Sequence, residues 1–449
     1  MKNNRFFIIL IAYSLLSSCS FDSKTGIWDG LKDEKRKVSD LEDEQSILLN
    51  TEKIYSSKNI IYDEIISDKA IVLSNPKNNI SWKMSNLNEQ NFKGNIYLSG
   101  TNKIFLKKKV GKKKFSFSKP MTSPVIGNNY IVLADDTGTI FNISKNGKLN
   151  WKKNIYKKLY KKIYKNLSLS IYENSLFVSD NIGFVYSINI ESGEILWIKN
   201  HGIPIKSKIK IFDNKIYLIN QDNRIICLDT SSGTKVWDVR TVSSLIKSQS
   251  FSPLGISKIG DLFVINTSGD LIKISTLTGK LSWSLNVTPS LFAHDKDFFK
   301  SSDIVIEDEN VYFSTVTSLF SYNTNTAYMN WKVDINSTST PIIDGNNVFL
   351  ISDNGFFVNI DKSSGKIIWR TDILKVLKEK KRSTTISGFI LGSGRIYATT
   401  SNGYLITSSA SSGKAESFIK IGDNINIAPI ITNGSLYVLT ESSRLFGFN

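Results

Sequence analysis

The sequence predicts an all-β fold, an eight-bladed β-propeller of four-stranded antiparallel blades, on three observations. A pattern of two apolar strands, glycine-containing turns and a closing tryptophan recurs from Pro124 to the C-terminus. The repeat tryptophans stand at positions 151, 197, 237, 283, 331 and 369, so successive steps are 46, 40, 46, 48 and 38 residues. The last repeat ends after three strands, so a closed ring needs a fourth strand from elsewhere in the chain.

The strands follow from period-two patterning. In the sixth repeat, Phe349 and Ile351 fall on one face of a strand, Phe357 and Asn359 fall on one face of the next, and Gly355 stands in the turn. One four-stranded sheet cannot bury both of its faces, whereas radial stacking of such sheets does. The eight predicted repeats span residues 124–151, 169–197, 205–237, 252–283, 303–331, 341–369, 387–418 and 429–449.

The missing strand is predicted at residues 103–107, just before the first repeat. This placement puts Phe105 where the other repeats have tryptophan and leaves no open edge for aggregation.

Some repeats depart from the pattern. Asn223 replaces a turn glycine and tolerates a left-handed backbone, Thr317 at the same position requires a different turn, Ala327 replaces the second glycine, and Ser417 replaces a tryptophan. The repeat tryptophans are predicted to fill the spaces between blades.

The N-terminus predicts export. Residues 1–18 carry Lys2 and Arg5 before a short apolar run, which is typical of a signal peptide. The next residues, Leu16-Ser17-Ser18-Cys19, resemble a bacterial lipobox, which implies that Cys19 becomes the lipidated first residue of the mature chain. Ser20 resembles the sorting residue of lipoproteins of the outer membrane, so we expect the chain to be lipid-anchored on the periplasmic face.

Three segments are therefore predicted: a lipoprotein signal peptide at 1–18, a charged tether at 19–68 and the propeller at 69–449.

The chain has 57 Lys plus Arg against 40 Asp plus Glu, a formal net charge of +17. Export removes it from nucleic acid, so this excess does not indicate a nucleic-acid partner. The chain has only two cysteines and two histidines, which are too few for a disulfide scaffold or a zinc cluster.

The repeat resembles the PQQ-type propeller repeat, which is clearest from Asp229 to Trp237 and from Asp361 to Trp369. A ring of eight such repeats on a lipoprotein anchor resembles the BamB family of outer-membrane protein assembly factors. This resemblance implies a non-enzymatic scaffold without a cofactor. It also implies, as partners, a BamA-like barrel insertase, other subunits of the assembly complex and unfolded outer-membrane protein clients.

In that family, docking involves two neighbouring loops between blades, one with Leu and Arg and the next with Asp residues. The resemblance therefore implies partner-binding roles for five residues of this chain: Leu245, Ile246, Lys247, Asp295 and Asp297. Lys247 stands where Arg is expected, which removes the bidentate geometry of a guanidinium.

Two alternatives are kept. PQQ-dependent dehydrogenases use the same repeat, and they resemble one another in a vicinal cysteine pair and a calcium cage. Here Cys19 and Cys227 are 208 residues apart, and Cys227 is predicted to be a buried core thiol. His201 and His294 lack an evident catalytic partner. The second alternative is a periplasmic ligand-binding propeller with a small molecule in its central channel.

Two lysine runs concentrate the positive charge. Residues 103–119 and 148–165 each contain eight lysines and no acidic residue. Within the second run, Ile155, Leu159, Ile163 and Leu167 recur every four positions, which predicts a basic amphipathic helix between the first two blades. Such a helix would lie against anionic lipid headgroups or an acidic partner, whereas the simpler interpretation is a solvated insertion.

Overall fold

The structure, a computed structural model, describes residues 63–67, 71–115, 122–242, 251–288 and 300–449. In this part of the chain, 32 strands form eight four-stranded antiparallel sheets. The prediction of an eight-bladed propeller is confirmed. Within the same ranges, neither helical segment is long or apolar enough to cross a membrane.

The first four blades follow one another along the chain. Blade 1 contains β2 (Val125–Ile126), β3 (Tyr130–Ala134), β4 (Thr139–Ser144) and β5 (Leu149–Asn154). Blade 2 contains β6 (Leu167–Tyr172), β7 (Ser175–Asp180), β8 (Phe184–Asn189) and β9 (Ile195–Asn200). Blade 3 contains β10 (Lys210–Phe212), β11 (Lys215–Ile219), β12 (Arg224–Asp229) and β13 (Lys235–Arg240). Blade 4 contains β14 (Leu254–Ile256), β15 (Asp261–Ile265), β16 (Asp270–Ser275) and β17 (Leu281–Asn286).

The other four blades complete the ring. Blade 5 contains β18 (Val305–Glu307), β19 (Asn310–Ser314), β20 (Ser318–Asn323) and β21 (Met329–Asp334). Blade 6 contains β22 (Ile342–Asp344), β23 (Asn347–Ile351), β24 (Phe356–Asp361) and β25 (Ile367–Asp372). Blade 7 contains β26 (Ile386–Gly392), β27 (Arg395–Thr400), β28 (Tyr404–Ser409) and β29 (Ala415–Lys420). Blade 8 contains β30 (Ile430–Thr432), β31 (Ser435–Leu439), β32 (Arg444–Phe448) and β1 (Ile104–Lys109).

The ring closes as predicted, because β1 pairs with β32 as the outer strand of blade 8. The position predicted for Phe105, however, is wrong by one residue. A β-bulge places Leu106 opposite Gly447, just as a bulge in β5 places Trp151 opposite Asn142. Leu106 is 4% exposed and Phe105 is 36% exposed. The bulge adds one residue to the alternation, and it is therefore Leu106 that takes the tryptophan position.

The repeat tryptophans pack between blades, as predicted. The indole N–H of Trp197 donates to the Thr230 carbonyl of the next blade at 3.0 Å. A Cβ atom added to Gly233 would lie 2.7 Å from the same indole ring. Four further pairs repeat this close approach: Trp151 with Gly193, Trp237 with Gly279, Trp331 with Gly365, and Trp369 with Gly413. The turn glycine therefore serves two needs, a left-handed backbone (φ +65° at Gly233) and room for the ring.

The irregular repeats agree with the expectations for their turns. Asn223 and Ala327 adopt φ values of 56° and 60°. Thr317 is not among the described residues with positive φ, and its turn is closed by a 2.7 Å hydrogen bond from the Thr315 N–H to the Ser318 carbonyl. Ser417 stands opposite Thr407 at the tryptophan position. It faces blade 8, whose third and fourth strands come from distant parts of the chain, so no turn joins them there.

The predicted amphipathic helix between blades 1 and 2 is wrong. The segment contains only a five-residue 3-10 helix, Lys158–Lys162, and Leu159 of the expected apolar face is 77% exposed. Its backbone is anchored to blade 1 instead: the Ile155 N–H donates to Gly138 and the Lys165 N–H donates to Asp136. Tyr156 is buried and donates to Asp180 at 2.5 Å. A second 3-10 segment, Ile373–Ser383, is interrupted at Lys378.

Candidate functional site

The predicted docking residues belong to two connections between blades. Leu245, Ile246 and Lys247 fall in the connection from β13 to β14, and Asp295 and Asp297 in that from β17 to β18. All five residues lie outside the described residues, as do Cys19 and His294. Both connections lead from an outer strand to the innermost strand of the next blade. The described residues that follow them, Phe251 and Lys300, line a cavity in the centre of the ring.

One end of the ring is crossed by residues 71–100, which we call the plug. The plug forms hydrogen bonds with every blade. Backbone bonds tie Trp82 to Ile126, Lys83 to Ile171, Glu89 to Ile256, Gln90 to Ile306, Ile96 to Leu391, and Ser99 to Gly434. Blades 3 and 6 are joined to the plug by side-chain hydrogen bonds, from Lys210 to the Ser85 carbonyl and from Asn347 to the Val72 carbonyl. The plug therefore ties all eight blades together at one end.

Asn91 carries much of the attachment at the centre of the plug. Its side-chain amide donates to the Leu254 carbonyl of blade 4 at 2.8 Å and to the Ile304 carbonyl beside blade 5 at 2.6 Å. Its side-chain oxygen accepts a hydrogen bond from the Lys210 ammonium of blade 3 at 2.6 Å. Asn91 has φ 57°, a left-handed conformation that asparagine tolerates better than most residues. One side chain thus joins three blades.

Lys210 is the buried cation beneath the plug. It begins β10, is 1% exposed, and donates to the Ser85 carbonyl at 2.9 Å and the Asn88 carbonyl at 2.6 Å, besides Asn91. Three acceptors match the three N–H donors of an ammonium group. Burial lowers the pKa of Lys210 to about 7; the nearby Asp303 carboxylate opposes this shift.

Above the plug, the channel holds a cavity of about 380 Å³. Its floor is made by Ser85, Asn86 and Lys93 of the plug, and its wall by residues that precede or begin the innermost strands. The wall contains both hydroxyl-bearing and apolar side chains, among them Ser168, Ser301, Thr338, Ser387, Leu169 and Phe389. A volume of this size lies within the range of small-molecule sites.

Asp303 is the acidic group of this cavity. The Lys208 ammonium lies 2.7 Å from its carboxylate, and Asn86 of the plug also donates to it. Burial by itself would raise the pKa of Asp303, but the charges of Lys208 and Lys210 and the hydrogen bonds outweigh burial and hold this pKa below its ordinary value. Asp303 therefore carries a negative charge that Lys208 compensates.

Lys93 differs from Lys208 and Lys210, which both have partners. Its side chain lines the cavity and the residue is only 9% exposed, yet its ammonium has no hydrogen bond or ion pair with any residue of the described ranges. Burial lowers the pKa of Lys93 to about 8; Asp303 opposes this shift and Lys208 adds to it. Sequence reasoning missed both Lys93 and the plug, because residues 71–100 carry no repeat and no recognisable motif.

The residues considered for an enzyme lie apart from this channel. Cys227 is fully buried between blades 3 and 4, as predicted, and burial raises the pKa of its thiol to about 12. His201 follows β9, and burial lowers its pKa. Among the described residues, no three His, Cys, Asp or Glu side chains come together in a group that would hold a metal ion.

Comparison with known proteins gives a family match. A family model described as "Outer membrane protein assembly factor BamB" matches residues 137–371. The protein of that name from Moranella endobia is 21% identical over 294 residues, which cover 62% of this chain and 63% of that protein. This chain thus spans a little under two thirds of the length of the Moranella protein. An uncharacterized protein of Rickettsia prowazekii is 24% identical over 374 residues, 78% of this chain and 89% of that protein.

Two solved structures have the same fold. BamB from Moraxella catarrhalis has a TM-score of 0.59 at 14% identity and covers 77% of this chain and 98% of its own. A europium-containing methanol dehydrogenase has a TM-score of 0.61 at 12% identity and covers 80% of this chain and 89% of its own. At these identities the likeness concerns the fold alone, and one fold serves both an assembly factor and an enzyme.

Proposed function

This chain belongs to the family of the outer membrane protein assembly factor BamB, and on that basis we propose that it is a non-enzymatic scaffold lipoprotein of the outer-membrane β-barrel assembly machinery. In this proposal, the propeller docks on a BamA-like insertase and aids the delivery or insertion of unfolded outer-membrane proteins. Cys19 holds the chain on the periplasmic face of the outer membrane, and residues 20–68 serve as its tether.

The observation that carries the proposal is the position of the family match. Residues 137–371 extend from β4 to β25, so the match includes both connections that contain the predicted docking residues. Those connections precede and follow blade 4 in the chain, and each joins the outer strand of one blade to the innermost strand of the next. Lys247 from one connection and Asp297 from the next would present charges of opposite sign to one partner surface, which favours specific docking.

The ring itself suits a scaffold. Closure by β1 and the hydrogen bonds of the plug to all eight blades link each blade to its neighbours and to the centre. A rigid support holds loops in place and lowers the entropy lost when they bind. The vicinal cysteine pair that the dehydrogenases share has no counterpart in this sequence, which contains only Cys19 and Cys227. We therefore favour the scaffold over an enzyme.

A pull-down of the full chain tests the docking proposal. The chain is tagged at its C-terminus, extracted from native membranes in mild detergent and probed for the barrel insertase by mass spectrometry. We expect the wild type to recover the insertase and the double variant Lys247→Glu/Asp297→Lys to lose most of it, because both charges are reversed.

A matched control makes the same charge changes at the other end of the same blades. Lys258 and Glu309 are exposed in the first turns of blades 4 and 5, so Lys258→Glu/Glu309→Lys should recover the insertase like the wild type. Equal recovery of the insertase by all three chains would refute the docking roles of Lys247 and Asp297. Absence of the insertase from the wild-type sample would refute the proposed partner.

A further inference from the structure

The central channel carries hydrogen-bond donors that its own residues do not use. Lys93 of the floor places an ammonium group at the cavity without a described partner. Ser301 beside blade 5 and Asn426 beside blade 8 also line the cavity, and the Ser301 hydroxyl and the Asn426 amide nitrogen are buried without a hydrogen-bond partner among the described residues. Buried polar atoms are nearly always paired in native proteins, so the two unpartnered atoms of Ser301 and Asn426, beside the lysine of the floor, require an explanation.

All three groups share one chemical property, since each offers N–H or O–H donors. The carboxylate of the cavity, Asp303, is already engaged by Lys208 and Asn86. A ligand that satisfies the unpartnered groups must therefore bring acceptors. Carboxylate and phosphate oxygens are the strongest acceptors for an ammonium group in a site of low polarity.

The charge balance points the same way. Lys93, Lys208 and Lys300 line the cavity, Lys210 lies beneath the plug, and Asp303 is the acidic residue among the described residues of the lining. Lys208 is neutralised by Asp303, and Lys210 is engaged by three neutral oxygen atoms of the plug. Lys93 is therefore the floor lysine without an ion pair of its own, and an anion in the cavity would compensate its charge.

We propose that the channel binds a small anion, of up to about the volume of the 380 Å³ cavity, through its carboxylate or phosphate group. Lys93 binds the anionic group from the floor, and Ser301 and Asn426 donate to it from the walls. The plug lies across one end of the channel, so in this proposal the ligand enters from the other end. This inference does not depend on the assembly role.

Calorimetry on the purified full chain tests the proposal, with inorganic phosphate, glycerol 3-phosphate and succinate as probes in a buffer free of other multivalent anions. We expect saturable binding of at least one probe, and the preferred probe distinguishes a phosphate site from a carboxylate site. Lys93→Met should weaken this binding by about tenfold or more, because a charge-assisted hydrogen bond is lost. Lys280→Met removes an exposed lysine from an outer turn and should leave binding unchanged.

A second variant guards against a folding defect in Lys93→Met. Asn426→Leu keeps the branched shape of the side chain, removes its donor and should weaken binding, whereas the urea-unfolding midpoint should stay near that of the wild type because no charge is buried. Absence of saturable binding by the wild type at millimolar concentrations of every probe would overturn the proposal. Binding as strong as that of the wild type in both Asn426→Leu and folded Lys93→Met would also overturn it.

Discussion

Replacing Trp369 by alanine should lower the free energy of unfolding by about 3–5 kcal/mol, the usual loss for a large buried aromatic side chain. Trp369 is 1% exposed and packs edge-to-face on Phe357, with ring centroids 4.8 Å apart. It also covers Gly413 of the next blade, where a Cβ atom would lie 2.5 Å from the indole. Its removal therefore opens a cavity between blades 6 and 7.

Trp369 is a clean probe of packing, because its indole N–H has no hydrogen-bond partner among the described residues. The cost of Trp369→Ala is then the cost of lost contacts and of the cavity. The measurement is urea unfolding followed by circular dichroism, with Tyr328→Ala as the control. Tyr328 is 76% exposed on an outer turn, so this control should change stability by less than about 0.5 kcal/mol. Equal midpoints for Trp369→Ala and the control would contradict the assignment of the repeat tryptophans to the core.

Lys210→Met should destabilise the folded chain by about 3 kcal/mol and release the plug. The substitution leaves the acceptors at Ser85, Asn88 and Asn91 without their shared donor, at about 1–3 kcal/mol for each buried group. Removal of a desolvated charge offsets part of this loss. Hydrogen exchange should show faster exchange across residues 71–100 than in Lys280→Met. Unchanged exchange in this segment would show that Lys210 does not hold the plug.

The same lysine gives the stability a pH dependence whose sign can be stated. In the folded chain the pKa of Lys210 is lowered to about 7, whereas a lysine of the unfolded chain titrates near the ordinary pKa of 10.5. Between these values the unfolded chain holds a proton that the folded chain has released, so stability rises with pH. The urea midpoint should therefore rise from about pH 7 to about pH 9.5, and Lys210→Met should reduce this rise. The part of the rise that persists in Lys210→Met should come from Lys93, whose pKa is lowered to about 8.

Much of the fold could be predicted because one strand pattern recurs in eight repeats. Most repeats place a glycine where the backbone must be left-handed, and six place a tryptophan where two blades meet, so sequence spacing translates directly into contacts. The closing strand was predictable for a similar reason, since an incomplete last blade requires a partner. The tryptophan-like position in that strand was missed by one residue, because the bulge between Ile104 and Leu106 leaves no trace in the alternation.

Features without a repeat were not predictable in the same way. The four-residue spacing from Ile155 to Leu167 matches a helix, but the backbone of this short connection is held by blade 1 at both ends. The plug lacks regular structure, and its hydrogen bonds join residues far apart in the sequence, such as Lys210 and Ser85. A local sequence pattern cannot predict hydrogen-bond partners that are distant in the sequence. The cavity donors Lys93, Ser301 and Asn426 come from three distant segments and meet only in the folded ring.

The most direct test of the assembly role is the rate at which a newly made outer-membrane β-barrel protein folds in the cells that encode this chain. Pulse-labelled barrel protein is followed by its heat-dependent mobility after depletion of the chain and after complementation. We expect folding to slow on depletion and to recover with the wild type and with Lys258→Glu/Glu309→Lys, but not with Lys247→Glu/Asp297→Lys. A folding rate that does not change on depletion would contradict the assembly role.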